Sequence, residues 1–238
     1  NSWVHQTSVT AVLSGLFFVD GSTGTAVGGG GSILRTTDGG QTWKRLPDDA
    51  RPLTAETEHA YAASGTSVAW TDAGELVIGL GGSGLDIEAD HCRVLVRDAD
   101  SERWQSIGVP LAGSSSAGVF SVAAVDERRL VVVGGDYLAP DTTTGTAAWS
   151  NDGGATWHAA TTHPSGFRSA VAVTRHAGRE RLFACGPNGI DRSDDAGRSW
   201  ESTGDDGYHA ISFDRQGSVG IAVGSAGRIA RWVDAAGR

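Results

Sequence analysis

Thr36-Thr37-Asp38-Gly39-Gly40-Gln41-Thr42-Trp43 follows the short apolar run Ser32-Ile33-Leu34. The octet returns as Ser150-Asn151-Asp152-Gly153-Gly154-Ala155-Thr156-Trp157, and again as Ser193-Asp194-Asp195-Ala196-Gly197-Arg198-Ser199-Trp200. The common form is S/T-x-D-x-G-x-S/T-W. Each copy reads as strand, tight turn, strand. The aspartate carboxylate can accept bonds from backbone N–H groups just ahead of it. The glycine two residues later supplies a positive φ without steric cost, and the tryptophan opens the return strand with a large apolar face to bury. Asp38, Trp43, Asp152, Trp157, Asp195 and Trp200 are therefore expected to be structural. The motif closes a hairpin and performs no chemistry.

Repeats of this length signal an array or a propeller. The unit has an inner strand, a second strand ending in glycines, a third strand, the turn and an outer strand led by Trp. Second strands end at Val27-Gly28-Gly29, Ile78-Gly79, Val133-Gly134-Gly135, Cys185-Gly186 and Val223-Gly224. In the second unit the turn Asp98-Ala99-Asp100-Ser101-Glu102-Arg103-Trp104 is decayed, with Ala99 in place of the aspartate and Ser101 in place of the glycine. The fifth unit ends without a Trp, whereas Trp3-Val4-His5-Gln6 looks like an outer strand with no blade before it. The expected fold is all-β: one β-propeller domain over 1–238, with five blades of four antiparallel strands. The blades span about 8–50, 60–110, 115–163, 164–204, and 205–238 joined by 1–7. Pairing the termini in one blade would remove the sheet edges. Segments 85–91 and 136–145 are expected as surface loops.

The 238 residues include 35 glycines and carry a net charge of −9. That acidity argues against nucleic acid and anionic membrane surfaces as partners. No run of about 18 apolar residues is present, so no membrane span is expected. Cys92 and Cys185 lie in non-adjacent repeats and are expected as free, buried thiols. Asn1 stands where a Met would start the chain, which suggests removal of an upstream targeting segment.

Further stretches carry a resemblance. They are Ala62-Ala63-Ser64-Gly65-Thr66, Ser116-Ala117-Gly118-Val119-Phe120-Ser121, Val133-Gly134-Gly135-Asp136-Tyr137, Gly166-Phe167-Arg168-Ser169 and Gly224-Ser225-Ala226-Gly227-Arg228-Ile229-Ala230. With the octets, which resemble the Asp box of bacterial neuraminidase repeats, they resemble a bacterial propeller family. Its members look like the photosystem II stability/assembly factor and often carry an "oxidoreductase" label. The resemblance implies a WD40/YVTN-like ring, usually of seven blades. Here about two blades are absent between Lys44 and Ala60. It also implies a binding or assembly role and favours an exported, periplasmic or cell-surface location.

Candidate sites follow from the repeat register. Aligning the units places Ser14, a residue near Thr66, Phe120, Arg168 and His209 at one height around the central channel, with Tyr208 nearby. A guanidinium beside an imidazole would suit a carboxylate, so the expected partner is a protein segment or a small acidic ligand, bound by a monomer. The Asp86/Glu88/Asp90/His91 cluster reads as a solvated loop, and no metal site or cofactor is expected. Asp20 and Asp126 suit turns. The alternative function is a glycoside hydrolase, since sialidases share the Asp box. Such enzymes need paired carboxylates, and the aligned inner positions carry none. No Arg-Ile-Pro element occurs, nor does a glycine-rich dinucleotide loop between strand and helix. No catalytic residue is assigned.

Overall fold

The computed structural model describes the chain apart from residues 1, 3, 48, 49, 51–65, 82–90, 100, 102 and 234–238. The described strands form five antiparallel sheets. The first blade holds β1 (Leu13–Phe18), β2 (Gly24–Gly28), β3 (Ser32–Thr36) and β4 (Lys44–Arg45). The second holds β5 (Val68–Trp70), β6 (Leu76–Gly79), β7 (His91–Arg97) and β8 (Trp104–Ala112). The third holds β9 (Ala117–Ala124), β10 (Leu130–Asp136), β11 (Ala147–Ser150) and β12 (His158–Ala159). The fourth holds β13 (Ala170–His176), β14 (Arg179–Gly186), β15 (Gly189–Ser193) and β16 (Glu201–Gly204). The fifth holds β17 (Ala210–Phe213), β18 (Val219–Val223) and β19 (Ile229–Val233). Inner strands β1, β5, β9, β13 and β17 surround one cavity, so the sheets are blades of a propeller.

Four apolar clusters fill the spaces between successive blades. Val27 and Ile33 meet Val68, Leu76 and Ile78. Val77, Val94 and Val96 meet Val122, Leu130 and Val132. Val131 and Val133 meet Val171, Leu182 and Trp200. Phe183 and Cys185 meet Tyr208, Ile211 and Ala222. Because the second, third and fourth blades are covered on both faces, their second strands carry continuous apolar runs, as in Leu130-Val131-Val132-Val133. No such cluster joins the fifth blade to the first among the described residues, and Leu13, Leu16, Phe18, Ile221, Val223 and Ile229 there are exposed. The expected fourth strand of the fifth blade rests on Trp3, which lies outside the described residues. Residues 4–9 carry no strand. The Asp86/Glu88/Asp90 cluster also lies outside the described residues. Both cysteines are free and buried.

The three octets fold alike, bond for bond. The first-position hydroxyl donates to the aspartate at 2.8 Å and accepts the N–H of the box glycine at 2.9 Å. The aspartate accepts the N–H of the residue before Trp at 2.9 Å. That residue's hydroxyl donates to the other carboxylate oxygen at 2.5–2.6 Å. Box glycines Gly40, Gly154 and Gly197 have φ of 84°, 88° and 86°. In the decayed turn Asp98 substitutes, accepting the Ser101 N–H at 2.7 Å. Asp20 and Asp126 likewise serve turns, accepting N–H bonds from Ser22 and Thr23, and from Arg128 and Arg129.

These bonds favour the ionised carboxylates. Asp38 is lowered from 3.8 to about 2, chiefly by the Thr42 hydroxyl, then by the Thr42 N–H and Thr36. At Asp152 partial burial opposes ionisation, but the bonds from Thr156 and Ser150 outweigh it and the pKa is again lowered. Two predictions follow from the turn. Asp152→Ala should lower unfolding free energy by about 1–2 kcal/mol, because turn N–H and hydroxyl donors lose their acceptor. Urea denaturation with an unchanged m-value checks this. A carboxylate with a depressed folded pKa stabilises the fold above its unfolded value of 3.8, and that contribution is lost as pH falls toward about 2. Urea midpoints should therefore drop across this window, and less so in the Asp38→Asn protein.

Candidate functional site in the central channel

The pairing of each inner strand with its neighbour shows which side chains share a height. Val27, Ile78, Val133, Cys185 and Val223, each followed by the recurring glycine, pair with Gly15, Val68, Ser121, Ala170 and Ala210. One step upstream of those partners stand Ser14, Ser67, Phe120, Ser169 and His209. Two steps upstream stand Leu13, Thr66, Val119, Arg168 and Tyr208. The main chain agrees: Val119, Arg168 and Tyr208 each donate N–H to the preceding blade, at Leu80, Gly134 and Gly186. Ser14, Phe120 and His209 are thus equivalent, as expected, but Arg168 is equivalent to Tyr208. The sequence alignment anchored on Gly118, Gly166 and Gly207, and the fourth blade carries one extra residue between its glycine and the strand. A slip of one turns a side chain to the other face.

Arg168, expected at the channel mouth, is instead buried and bonded to protein groups. It is 0% exposed. Nε and Nη2 hold the carboxylate of Asp191, itself 1% exposed, at 2.5 Å. Nη1 donates to the Phe167 carbonyl and to Asn188 Oδ1, and Nη2 also donates to Ser165 Oγ. Asn188 ties this network to Pro140 and Asp141 of the third blade's long loop. The equivalent positions to Asp191 on third strands are Leu34, Val96, Ala148 and Ala230. An aspartate where the four other blades carry an apolar residue was the overlooked sign of Arg168's partner.

The other proposed residues are also drawn elsewhere. Phe120 is 7% exposed and packs edge-on against Phe167, with ring centroids 4.6 Å apart, and against Tyr137 at 6.2 Å. Tyr208 is buried, with the Arg228 guanidinium 5.9 Å from its ring centroid. Half-buried His209 bonds Ser225 Oγ through Nε2 at 2.8 Å. Ser14 lies at the irregular step of β1 and lines a separate cavity of about 360 Å³ with Leu13, Leu34 and Trp43.

The channel itself is a cavity of about 350 Å³. Its walls are Leu16 and Phe17, Thr66, Val68 to Trp70, Val122 to Ala124, Val171 to Val173, and Ile211 to Asp214. Of the positions aligned from the sequence, Thr66 is in this lining, whereas Ser14, Phe120, Arg168, His209 and Tyr208 are not. Apolar residues line most of the wall, and Thr66, Ser212 and Asp214 add polar groups. Asp214 is the one carboxylate among the described lining residues, and its pKa is lowered first by the Val219 N–H and further by the Ser218 hydroxyl. The signal was present in Val122-Ala123-Ala124 and Val171-Ala172-Val173, apolar on both alternations.

The architecture and turns define a β-propeller carrying Asp boxes. Residues 34–45 match the BNR/Asp-box repeat family. No curated protein sequence matches the chain. Among solved structures, the chain is similar to YCF48 bound to D1 peptide, at 18% identity and a TM-score of 0.62, over 97% of this chain and 66% of that one. It is also similar to YCF48 from Cyanidioschyzon merolae, at 15% identity and 0.55, over 97% and 69%. A third is the GH74 enzyme of Niastella koreensis, at 15% identity and 0.60, over 96% and 36%. The chain thus spans about two thirds of the first two structures and about one third of the enzyme. At these identities the likeness is one of fold.

Arg168→Ala should cost about 3–5 kcal/mol, because it leaves the Asp191 carboxylate buried and unpaired. Adding Asp191→Leu should recover most of that loss. Denaturant melts of the single and double variants check the reading; a single variant as stable as the parent would contradict it.

Proposed function

We propose that the chain is a non-catalytic binding propeller, and that its central channel receives an apolar side chain from an extended segment of a protein partner. The observation that carries this is the channel lining, to which all five inner strands contribute apolar side chains, with Thr66 and Ser212 as neutral polar groups and one carboxylate among the described residues, already bonded within its turn. Ligand pockets of this kind bind through apolar walls with a few polar groups to orient the guest. The half-buried imidazole of His209 is a polar group near the inner strands. YCF48, in the structure bound to D1 peptide, shares this fold, which supports a peptide as guest. A small acidic ligand loses its main recognition group once Arg168 is engaged by Asp191. Glycoside hydrolysis needs two converging carboxylates, and Asp214 stands alone among the described lining residues.

The test is an array of short peptides, followed by titration of the best binder against Ala124→Trp, which fills the channel, and Leu16→Asp, which alters a half-exposed wall at little cost to the fold. Each variant should weaken binding by about tenfold or more, equivalent to about 1.4 kcal/mol. Undiminished binding by both folded variants would move the partner surface away from the channel.

A further inference from the structure

In the third blade, Val122, Val132 and Ala148 form one row across paired strands, and this row packs on the second blade. In the fifth, the row Ile211, Ala222 and Ala230 packs on the fourth. The equivalent row of the first blade is Leu16, Ala26 and Leu34. No blade packs on it among the described residues. The cavity of about 360 Å³ lies over this row instead, with Trp43 in its wall. Ala26 and Leu34 form a buried floor, while Leu16 is exposed. Gln6 and Thr7, both exposed, line the cavity from the N-terminal segment. A floor this sheltered suits a small guest and not the face of another sheet, which would need the whole row open to water.

The lining decides the chemistry of the guest. No charged side chain and no histidine is among the described lining residues, in a chain of net charge −9. A charge set against Leu16, Ala26 and Leu34 would lose its hydration without gaining a partner. Trp43 adds a large aromatic surface, held by an edge-on contact with Phe18 at 5.9 Å between ring centroids, and aromatic surface favours a ring as guest. Gln6 and Thr7 bring neutral donors and acceptors to the exposed side. The volume is that of pockets which hold small molecules. We infer that the first blade carries a ligand site for an uncharged aromatic small molecule. This site goes beyond the channel reading, since among the described residues the two cavities share only Leu16.

The test titrates the full chain with two fluorescent probes. N-phenyl-1-naphthylamine is uncharged, and its emission rises in apolar surroundings. 8-Anilinonaphthalene-1-sulfonate adds an anionic group to the same ring system. The amine should bind saturably at one site, and the sulfonate more weakly by about tenfold or more. Ala26→Phe, which fills the cavity from its floor, should weaken amine binding by about tenfold or more. Leu13→Lys changes an exposed residue that lines this cavity and not the channel, so it decides the matter if Ala26→Phe does not fold. It should weaken the amine by about threefold or more and bring the two probes closer in affinity. Absence of saturable binding, a sulfonate bound as tightly as the amine, or amine binding untouched in the folded variants would overturn the proposal. Loss of amine binding in Ala124→Trp, with none in Ala26→Phe or Leu13→Lys, would place the probe in the channel and overturn it as well. A dimer in sedimentation that Leu13→Lys dissociates would assign this face to a second copy, with the same consequence.

Discussion

The narrow end of the propeller depends on a backbone carbonyl seated against a glycine. A Cβ on Gly134 would lie 1.8 Å from the Gly118 carbonyl oxygen, and one on Gly186 would lie 2.0 Å from that of Phe167. The same approach recurs at Gly28 against Val12. Each inner strand can therefore fold closely onto the end of its neighbour before entering the next blade. The Arg168 N–H then reaches the Gly134 carbonyl, and the Tyr208 N–H reaches that of Gly186, so consecutive blades are joined by main-chain bonds. Side chains contribute the packing, but the backbone sets how near the inner strands come.

The Asp boxes act in the turns before the outer strands of the first, third and fourth blades. Their hydroxyl–carboxylate bonds hold the turn before the outer strand, and the Trp157 and Trp200 indoles donate back to the Gly154 and Gly197 carbonyls. Trp200 thereby enters the core between the third and fourth blades. A polar turn and an apolar interface are thus one device: fixing the turn fixes where the indole lands.

Arg168 and Asp191 add an ionic element where the other blades use apolar residues. Burying two charges is costly unless every donor is engaged. Here Ser165, Asn188 and the Phe167 carbonyl complete the guanidinium's bonds. Through Asn188 the pair also positions the long loop of the third blade against the fourth.

The sequence by itself determined the propeller, its five units, the turn role of Asp38, Asp152 and Asp195, and the buried free thiols. These are local or periodic features: a turn's hydrogen bonds involve residues within four positions, and repetition multiplies the signal. The channel lining was decided only by tertiary structure. Motif alignment set Arg168 beside His209, yet strand pairing set it beside Tyr208, because one extra residue before β13 shifts the register by one. In a strand with alternating faces, that single step turns a side chain to the other face. The partner of Arg168, 23 residues away on β15, is chosen by sheet pairing that no local pattern encodes.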